Sequence, residues 1–170
     1  MVNALACDIT RAAQAWAALE EVADPEIPIL SVVDLGIVRE VSEDAAGCLS
    51  VSLSPTYSGC PATEVIRAAV ESALQGAGLT PFKVLTVLSP AWSSDWISAT
   101  GRDKLSAYGI APPVKQVGHP KHLVAAPRAV ACPLCASLDT ERVSEFGSTP
   151  CKALYRCLRC REPFDYFKCI

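Results

Sequence analysis

The residues of this chain best suited to chemistry are its nine cysteines, four of which stand in two Cys-x-x-Cys pairs. The pairs are Cys132 with Cys135 and Cys157 with Cys160, and 21 residues separate them. Each pair can turn two thiolates toward one metal ion, and four thiolates in a tetrahedral arrangement are typical of a closed structural zinc site. Since thiolates also suit iron, a rubredoxin-like iron or a cluster stays open as an alternative.

The region around these pairs, residues 131–170, is predicted to be a zinc ribbon of short β-strands. About 40 residues are too few to fold on an apolar core alone, so the metal would supply much of the folding free energy. Cys151 and Cys169 lie in the same region but outside the two pairs. They are either buried thiols or a second, labile pair for metal or redox exchange.

A separate candidate for thiol chemistry is Cys60, which precedes Pro61 at the start of a predicted helix. Proline suits the first helical position, so we expect Cys60 at the N-cap, beside unpaired N–H groups and the positive end of the helix dipole. This environment lowers the pKa of a thiol and makes it a better nucleophile or metal ligand. The alternative is that Cys60 is a small buried side chain.

Two acidic residues, Asp24 and Glu26, lie on either side of a proline in a second candidate segment. Pro25 and Pro28 exclude a helix there and favour a rigid extended or turned backbone. Asp24 and Glu26 either cap the structure that follows or line a site beside Cys60.

The elements that must position these residues follow from hydrophobic periodicity, which predicts an α+β fold in the order α-β-β-α-β-α. We expect a small three-stranded mixed sheet with helices packed on it, followed by the zinc ribbon. The predicted helices and strands cover residues 11–22, 37–41, 48–53, 61–75, 82–88 and 93–108.

Side-chain alternation adds two expectations about the sheet. In the second strand Leu49, Val51 and Leu53 should face the core, while the serines between and after them, through Ser54, should face solvent. The third strand, 82–88, is apolar on nearly both sides and is therefore predicted to be central.

Charge and proline content divide the chain. The net charge of -3 is the sum of -7 up to Pro112 and +4 from Pro113 onward. We expect a first domain over 1–112, a proline-rich linker over 113–130 and the ribbon over 131–170.

Length and composition exclude several classes. No apolar run reaches the roughly 18 residues that a membrane span needs, and the first residues lack the pattern of a signal peptide. An odd number of cysteines argues against a disulfide framework. A cytoplasmic protein is therefore expected.

Two other functions are alternatives to the binding of a metal or cluster. A nucleic-acid-binding zinc ribbon would use the basic second half, but +4 is modest and stacking aromatic residues are few. A thiol-dependent acyl or thiol transferase would use Cys60, but no histidine precedes residue 112 to act as its base. The only histidines, His119 and His122, fall in the linker, where solvated side chains are expected.

Residues 11–110 resemble the MIP18-type domain family, which is associated with iron–sulfur cluster assembly. The matching motifs are Asp24-Pro25-Glu26, Asp34-Leu35-Gly36 and Thr56-x-x-x-Cys60-Pro61. Over about 11–170 the chain resembles, more narrowly, the D-subunit family of bacterial phenylacetyl-CoA epoxidase systems. The further motifs for this resemblance are Ser89-Pro90-Ala91-Trp92, Asp95-Trp96, the stretch from Tyr108 to Pro113, and the stretch from Phe146 to Cys157.

The resemblance implies an accessory maturation factor without catalytic residues of its own, serving a di-iron oxygenase and an iron–sulfur flavin reductase. Cys60 would be a transient ligand of iron or an Fe–S cluster, and Asp24, Glu26 and Thr56 would shape its site. The four paired cysteines would hold Zn²⁺ and present a docking surface to the client.

One thiolate gives too few ligands for a stable cluster, which suits a cargo that must leave. The missing ligands would come from a second protomer in a homodimer, from Cys151 or Cys169, or from the client.

Overall fold

A computed structural model describes residues 10–56, 62–114 and 129–168 of the chain. Its helices are α1 (Arg11–Glu20), α2 (Ala62–Gly76) and α3 (Ala99–Ala107). Its strands are β1 (Val38–Glu43), β2 (Leu49–Leu53), β3 (Phe82–Thr86), β4 (Ile110–Ala111), β5 (Thr140–Ser144), β6 (Lys152–Cys157) and β7 (Pro163–Phe167). The predicted α+β class and the order of elements are confirmed.

The first sheet has the order β1-β2-β3 and is mixed, as predicted. β1 and β2 form an antiparallel hairpin, and β2 runs parallel to β3. Leu49, Val51 and Leu53 are buried, which confirms the inward face of β2. The prediction that Ser54 faces solvent is wrong: it is 1% exposed, because the backbone stays paired past the end of β2, where the N–H of Ser54 donates to the carbonyl of Ile37 at 2.8 Å.

The prediction that 82–88 forms the central strand is also wrong. β3 lies at the edge of the sheet, and β2 occupies the centre. Val84 is buried, but Leu85 and Leu88 are 44% and 60% exposed. The apolar run therefore reflects exposed side chains at an edge as well as core packing.

Helices α1 and α2 pack on one face of this sheet and close the core. α1 contributes Ala15 and Leu19, which are fully buried, and Thr10 caps its first turn by accepting from the N–H of Ala13. α2 contributes a stripe that includes Ile66 and Val70 at a four-residue spacing. The two helices thus follow the period of their apolar residues.

The predicted helix over 93–108 is divided in two. A single 3-10 turn covers Ser94–Trp96, and α3 begins only at Ala99. Ser98 causes the break because its extended backbone lies between the two pieces and its hydroxyl accepts from the N–H of Gly101, as an N-cap does.

A loop centred on Asp34 joins the sheet to α3. The Asp34 carboxylate accepts from Lys104 Nζ at 2.6 Å, from the N–H of Ser31 at 3.1 Å and from Ser98 Oγ at 3.2 Å. Burial alone would raise the pKa of Asp34, but the bonds from Lys104 and Ser31 outweigh it and hold the pKa below its usual value. The carboxylate is therefore kept ionised in a nearly buried position.

Gly36 lets this loop pass directly beneath Trp96. Its φ is +64°, and a Cβ at this position would lie 2.6 Å from the Trp96 carbonyl oxygen. The indole of Trp92 holds the same loop by donating to the carbonyl of Leu35 at 3.0 Å. Glycine is required here by backbone conformation and by space.

The second sheet has the order β4-β7-β6-β5. β5, β6 and β7 are antiparallel neighbours, whereas β4 runs parallel to β7. β4 belongs to the first predicted domain, so main-chain hydrogen bonds join it directly to the predicted ribbon. The domain boundaries at 112 and 131 stay a prediction.

The second sheet docks on the core of the first through Phe167, which is 1% exposed. Its ring lies 6.1 Å from that of Trp92, and Cys151 is buried in the same core. A second, smaller core around Cys132, Cys157 and Phe164 lies within the ribbon itself. Within the described ranges, no helix has the length and apolar character that a membrane span requires.

The Asp34 network makes a testable contribution to stability. We expect Asp34→Asn to lower the free energy of unfolding by about 1.5 kcal/mol at neutral pH, the low end for a charge-assisted bond because Lys104 is half-exposed. The folded-state pKa is depressed, so this contribution is complete above the unfolded value near 4 and is lost as pH falls through the folded value. Urea unfolding between pH 7 and pH 2 should show the gap between the two proteins closing in acid.

A double-mutant cycle with Lys104→Met provides the control. The two substitutions should be far from additive, because each removes the same ion pair. Additive effects, or a gap that is unchanged in acid, would contradict the role given to Asp34.

Candidate functional site

The four paired cysteines of the ribbon converge on one point. The sulfur atoms of Cys132, Cys135, Cys157 and Cys160 all lie within 4.8 Å of one another. Cys132 and Cys160 are 3.8 Å apart, and Cys135 and Cys157 are 3.6 Å apart. Tetrahedral zinc with Zn–S bonds of about 2.3 Å requires sulfur atoms about 3.8 Å apart, so the four thiols fit a single metal ion.

The backbone of each Cys-x-x-Cys turn supports this arrangement. The N–H of Cys160 donates to Cys157 Sγ at 3.4 Å, and this bond lowers the pKa of the Cys157 thiol to about 6. In the first turn the N–H of Ala136 donates to the carbonyl of Cys132 at 2.8 Å. A lowered thiol pKa favours the thiolate that a metal needs.

Both turns end on a residue in the left-handed region. Ala136 has a φ of 57° and Arg161 a φ of 68°, each directly after the second cysteine of its pair. Side chains other than glycine are strained there by about 1–2 kcal/mol. Both turns close in spite of this strain, although glycine would be easier at either position.

A cleft lies at the other end of the ribbon, where the two sheets meet; together with the solvent at its mouth it encloses about 490 Å³. The turn that follows α1 forms one wall, the end of β2 and the start of α2 form another, and the ribbon forms the third. The polar or reactive residues that line it are Asp24, Glu26, Thr56, Thr63 and Cys151. Three of the residues predicted for the transient site and one of the extra thiols therefore share a cleft.

Asp24 serves both of the roles considered for it. One carboxylate oxygen accepts from the N–H groups of Glu26 and Ile27 at 2.9 and 2.8 Å, which caps the turn. The same residue lines the cleft and is 7% exposed. Burial raises the pKa of Asp24 above its usual value although these two bonds and the charge of Lys152 oppose the change.

Glu26 faces the ribbon. Its Oε2 lies 3.6 Å from Cys151 Sγ, and Thr149 Oγ1 lies 3.0 Å from the same sulfur. Cys151 is 6% exposed. Burial, together with the nearby charge of Glu26, raises the pKa of the thiol to about 11, although Thr149 opposes the change.

Cys60 and Cys169 lie outside the described residues, as do His119 and His122. Thr56 and Thr63, which stand on either side of segment 57–61 in the sequence, both line the cleft. The assignment of Cys60 as a ligand stays a prediction.

The metal-binding cysteines and the cleft are far apart. Cys151 precedes β6 and Cys157 ends it, so six residue steps along an extended strand place them about 20 Å apart. Cys151 therefore cannot be a further ligand of the four-cysteine site.

Sequence reasoning missed the contact between Glu26 and Cys151, and it missed Lys152. The lysine side chain is 7% exposed, and its Nζ lies 3.6 Å from Asp165 Oδ2. No local pattern indicates either feature, because the cysteine and the glutamate are 125 positions apart. In the sequence, Cys151 is distinguished only by its position in the motif from Phe146 to Cys157.

Two family models match the chain. The model described as an iron–sulfur cluster assembly protein matches residues 12–87, and the model described as the PaaD zinc beta ribbon domain matches residues 116–168. The first match covers the first sheet, α1, α2 and the residues that the first domain contributes to the cleft, and the second covers the four-cysteine site together with Cys151 and Phe167.

Individual proteins agree with this division. The chain is 52% identical, over 91% of each, to an Escherichia coli K12 protein whose name makes it the D subunit of a "Putative 1,2-phenylacetyl-CoA epoxidase". It is 36% identical to the Fe-S protein maturation auxiliary factor YitW of Bacillus subtilis, over 54% of this chain and 81% of that protein. A crystal structure of the DUF59 domain from Bacillus anthracis superposes with a TM-score of 0.52 at 28% identity, covering 56% of this chain and 91% of that one.

Fold and site together define an iron–sulfur-assembly-type domain joined to a four-cysteine ribbon. The chain belongs to the D-subunit family of phenylacetyl-CoA epoxidase systems.

The strain at Ala136 gives a prediction about the ribbon. We expect Ala136→Gly to stabilise the metal-loaded protein by about 0.5–1 kcal/mol, because relief of the left-handed strain exceeds the added freedom of the unfolded chain. The measurement is denaturant unfolding in the presence of excess metal. The matched control is Ala68→Gly on the exposed side of α2, which should cost about 1 kcal/mol; equal losses in both variants would contradict the prediction.

Proposed function

We propose that this protein is an accessory maturation factor that binds iron or an iron–sulfur cluster transiently in the cleft and delivers it to a phenylacetyl-CoA epoxidase system. Cys60 supplies the thiolate, and Asp24, Glu26 and Thr56 shape the site around it. The observation that carries the proposal is the convergence of Asp24, Glu26 and Thr56 on one cleft at the junction of the two modules.

The chemistry of this lining favours iron as cargo. Carboxylate oxygens are hard ligands and thiolates are soft ones, and ferrous iron accepts both. The side chains of Asp24, Glu26 and Thr56 border one space that opens to solvent, so an ion can reach all three. Thr56 and Thr63, on either side of the segment that carries Cys60, both border it, which supports Cys60 as the entering thiolate.

The ribbon has a different role in the proposal. Its four thiolates complete a tetrahedron, so we assign them Zn²⁺, which holds the ribbon folded and takes no part in transfer. A closed site retains its metal, whereas a cleft with few ligands releases its cargo.

The clients we propose are the di-iron oxygenase and the iron–sulfur flavin reductase of the epoxidase system. Support comes from the Escherichia coli relative, which is named as part of an epoxidase, and from the Bacillus subtilis relative, which is named as a maturation factor. In this role the protein is not itself a catalyst, and the proposed place of action is the cytoplasm, where unpaired thiols stay reduced.

The nucleic-acid alternative gains no support from the described part of the ribbon. Arg142 pairs with Glu145 at 2.5 Å, and Arg156 pairs with Glu141 at 2.6 Å. Each of these two arginines is engaged by a neighbouring carboxylate, which reduces the positive charge available to a phosphate.

Removal of the metal from the ribbon should lower the stability of the whole protein. We expect about one zinc per chain, and we expect a strong chelator or Cys157→Ser to release it and lower the denaturant midpoint. Without the ribbon's fold, Phe167 no longer covers Trp92, so tryptophan emission should move to longer wavelength. Cys48→Ser, at a half-buried thiol outside the ribbon, is the control and should keep its zinc; full zinc content in Cys157→Ser would contradict the assignment.

The cargo assignment is tested by anaerobic reconstitution with ferrous iron and sulfide. We expect wild-type protein and Cys48→Ser to retain iron beyond the zinc of the ribbon, and Cys60→Ser to lose most of it. Epoxidation of phenylacetyl-CoA by oxygenase and reductase co-produced with each variant should follow the same order. If Cys60→Ser retains iron and supports full epoxidation, the proposal is wrong.

A further inference from the structure

The cleft is built by both modules, and we propose that Cys151 of the ribbon and Glu26 of the first domain form a ligand pair for a ferrous ion within it. The ribbon would then supply part of the cargo site in addition to any contact with a client. This inference rests on the proposed function and identifies ligands that the Cys60 assignment does not include.

The position of Cys151 is fixed by the backbone on both sides. Its carbonyl accepts from the N–H of Lys168 at 2.9 Å, and the N–H of Lys152 donates to the carbonyl of Thr149 at 3.1 Å. These bonds anchor the residue at the start of β6, beside the end of β7. The sulfur is therefore held 3.6 Å from Glu26 by the ribbon's own architecture.

The surroundings of Cys151 differ from those of an ordinary core thiol. A small buried thiol usually packs against apolar groups, whereas the Cys151 sulfur lies 3.6 Å from the half-buried carboxylate of Glu26. Here the sulfur borders a cleft that also contains the carboxylates of Glu26 and Asp24. Potential ligands of both kinds thus come from modules that are distant in sequence.

The thiol and the carboxylate also provide a route for the proton that metal binding releases. When Fe²⁺ binds, a bond forms between iron and Cys151 sulfur and the S–H bond breaks. The proton passes to Glu26 Oε2, its hydrogen-bond acceptor, and from there to water, so that no oxidant or reductant is needed. Glu26 then binds the ion through an oxygen, and the remaining coordination positions are open to water or to a ligand of the client.

Lys152, which pairs with Asp165, lies next to Cys151 and Glu26, and its ammonium offsets part of the negative charge of the site. The Lys152 ammonium is buried and acts on the charge of Asp24. With three carboxylates (Asp24, Glu26 and Asp165), one thiolate and one ammonium, the bound ferrous ion leaves the site with a net charge of about -1, which is close to neutral. A nearly neutral complex can be buried without a large desolvation cost.

The competing interpretation is that the contact between Cys151 and Glu26 only locks the two modules together. Glu26→Gln separates the two interpretations, because an amide of the same shape still accepts a hydrogen bond from the thiol but is a far poorer ligand for the metal. Cys151→Ser preserves size and the hydrogen bond while removing the sulfur.

The test uses the full chain, loaded with zinc and titrated without oxygen with Co²⁺, whose thiolate complexes absorb in the near ultraviolet. We expect Cys151→Ser and Glu26→Gln each to weaken binding at least tenfold, and Cys151→Ser to reduce the sulfur-to-cobalt absorbance. Cys48→Ser and Glu40→Gln, at a thiol and an exposed carboxylate of the first sheet, are the matched controls and should bind as the wild type does. Zinc content and denaturant midpoint are measured for every variant.

The outcomes distinguish this inference from the proposed function. Wild-type cobalt binding in Cys151→Ser and Glu26→Gln, with loss in Cys60→Ser, overturns the inference and leaves the proposed function standing. If cobalt binding is lost only in Cys151→Ser, with a lower denaturant midpoint for that variant and wild-type binding in Glu26→Gln, the inference is also wrong. The contact between Cys151 and Glu26 then only holds the two modules together. Loss in both variants at unchanged zinc content and midpoint supports it, whatever Cys60→Ser does.

Discussion

The insertion of Phe167 into the core of the first domain is the contact on which the rest of the structure depends. The ring is fully buried and lies against Trp92, which in turn holds the carbonyl of Leu35. Burial of a phenylalanine side chain stabilises a fold by about 1.5–3 kcal/mol. The first domain thus obtains part of its core from a segment far along the chain from Trp92, and side chains of both modules pack in one hydrophobic core.

This contact also determines where the ribbon's other residues lie. Phe167 pairs with Lys152 across β6 and β7, so docking of the ring brings the start of β6 to the cleft. Cys151 precedes that position by one residue, and Cys157 lies at the far end of the same strand. A strand of fixed length therefore connects the metal-binding end of the ribbon to the cleft, and order at one end supports order at the other.

Sequence patterns predict the features that depend on neighbours in the chain. The alternation of Leu49, Val51 and Leu53 identifies the buried face of β2, and the spacing of the Cys-x-x-Cys pairs identifies four thiols that do converge. The apolar run over 82–88 suggests a central strand because composition reports apolar character and not the number of neighbouring strands. The edge position becomes visible only with the pairing of β2 and β3. The site shows the same limit, since the pairing of Glu26 with Cys151 depends on how the second sheet docks on the first core.

The two groups of potential ligands differ in a way that explains why one chain would carry both. Four thiolates within 4.8 Å of one another leave no coordination position open, so an ion held there exchanges slowly and contributes its binding free energy to folding. A thiol and a carboxylate at 3.6 Å occupy only part of a coordination sphere, and each comes from a different module. A change that shifts Phe167 would separate this pair, whereas a metal bound by all four cysteines would still hold those cysteines together. In the proposed function, a client that binds at the junction of the modules would therefore take up the cargo without removing the metal assigned to the ribbon.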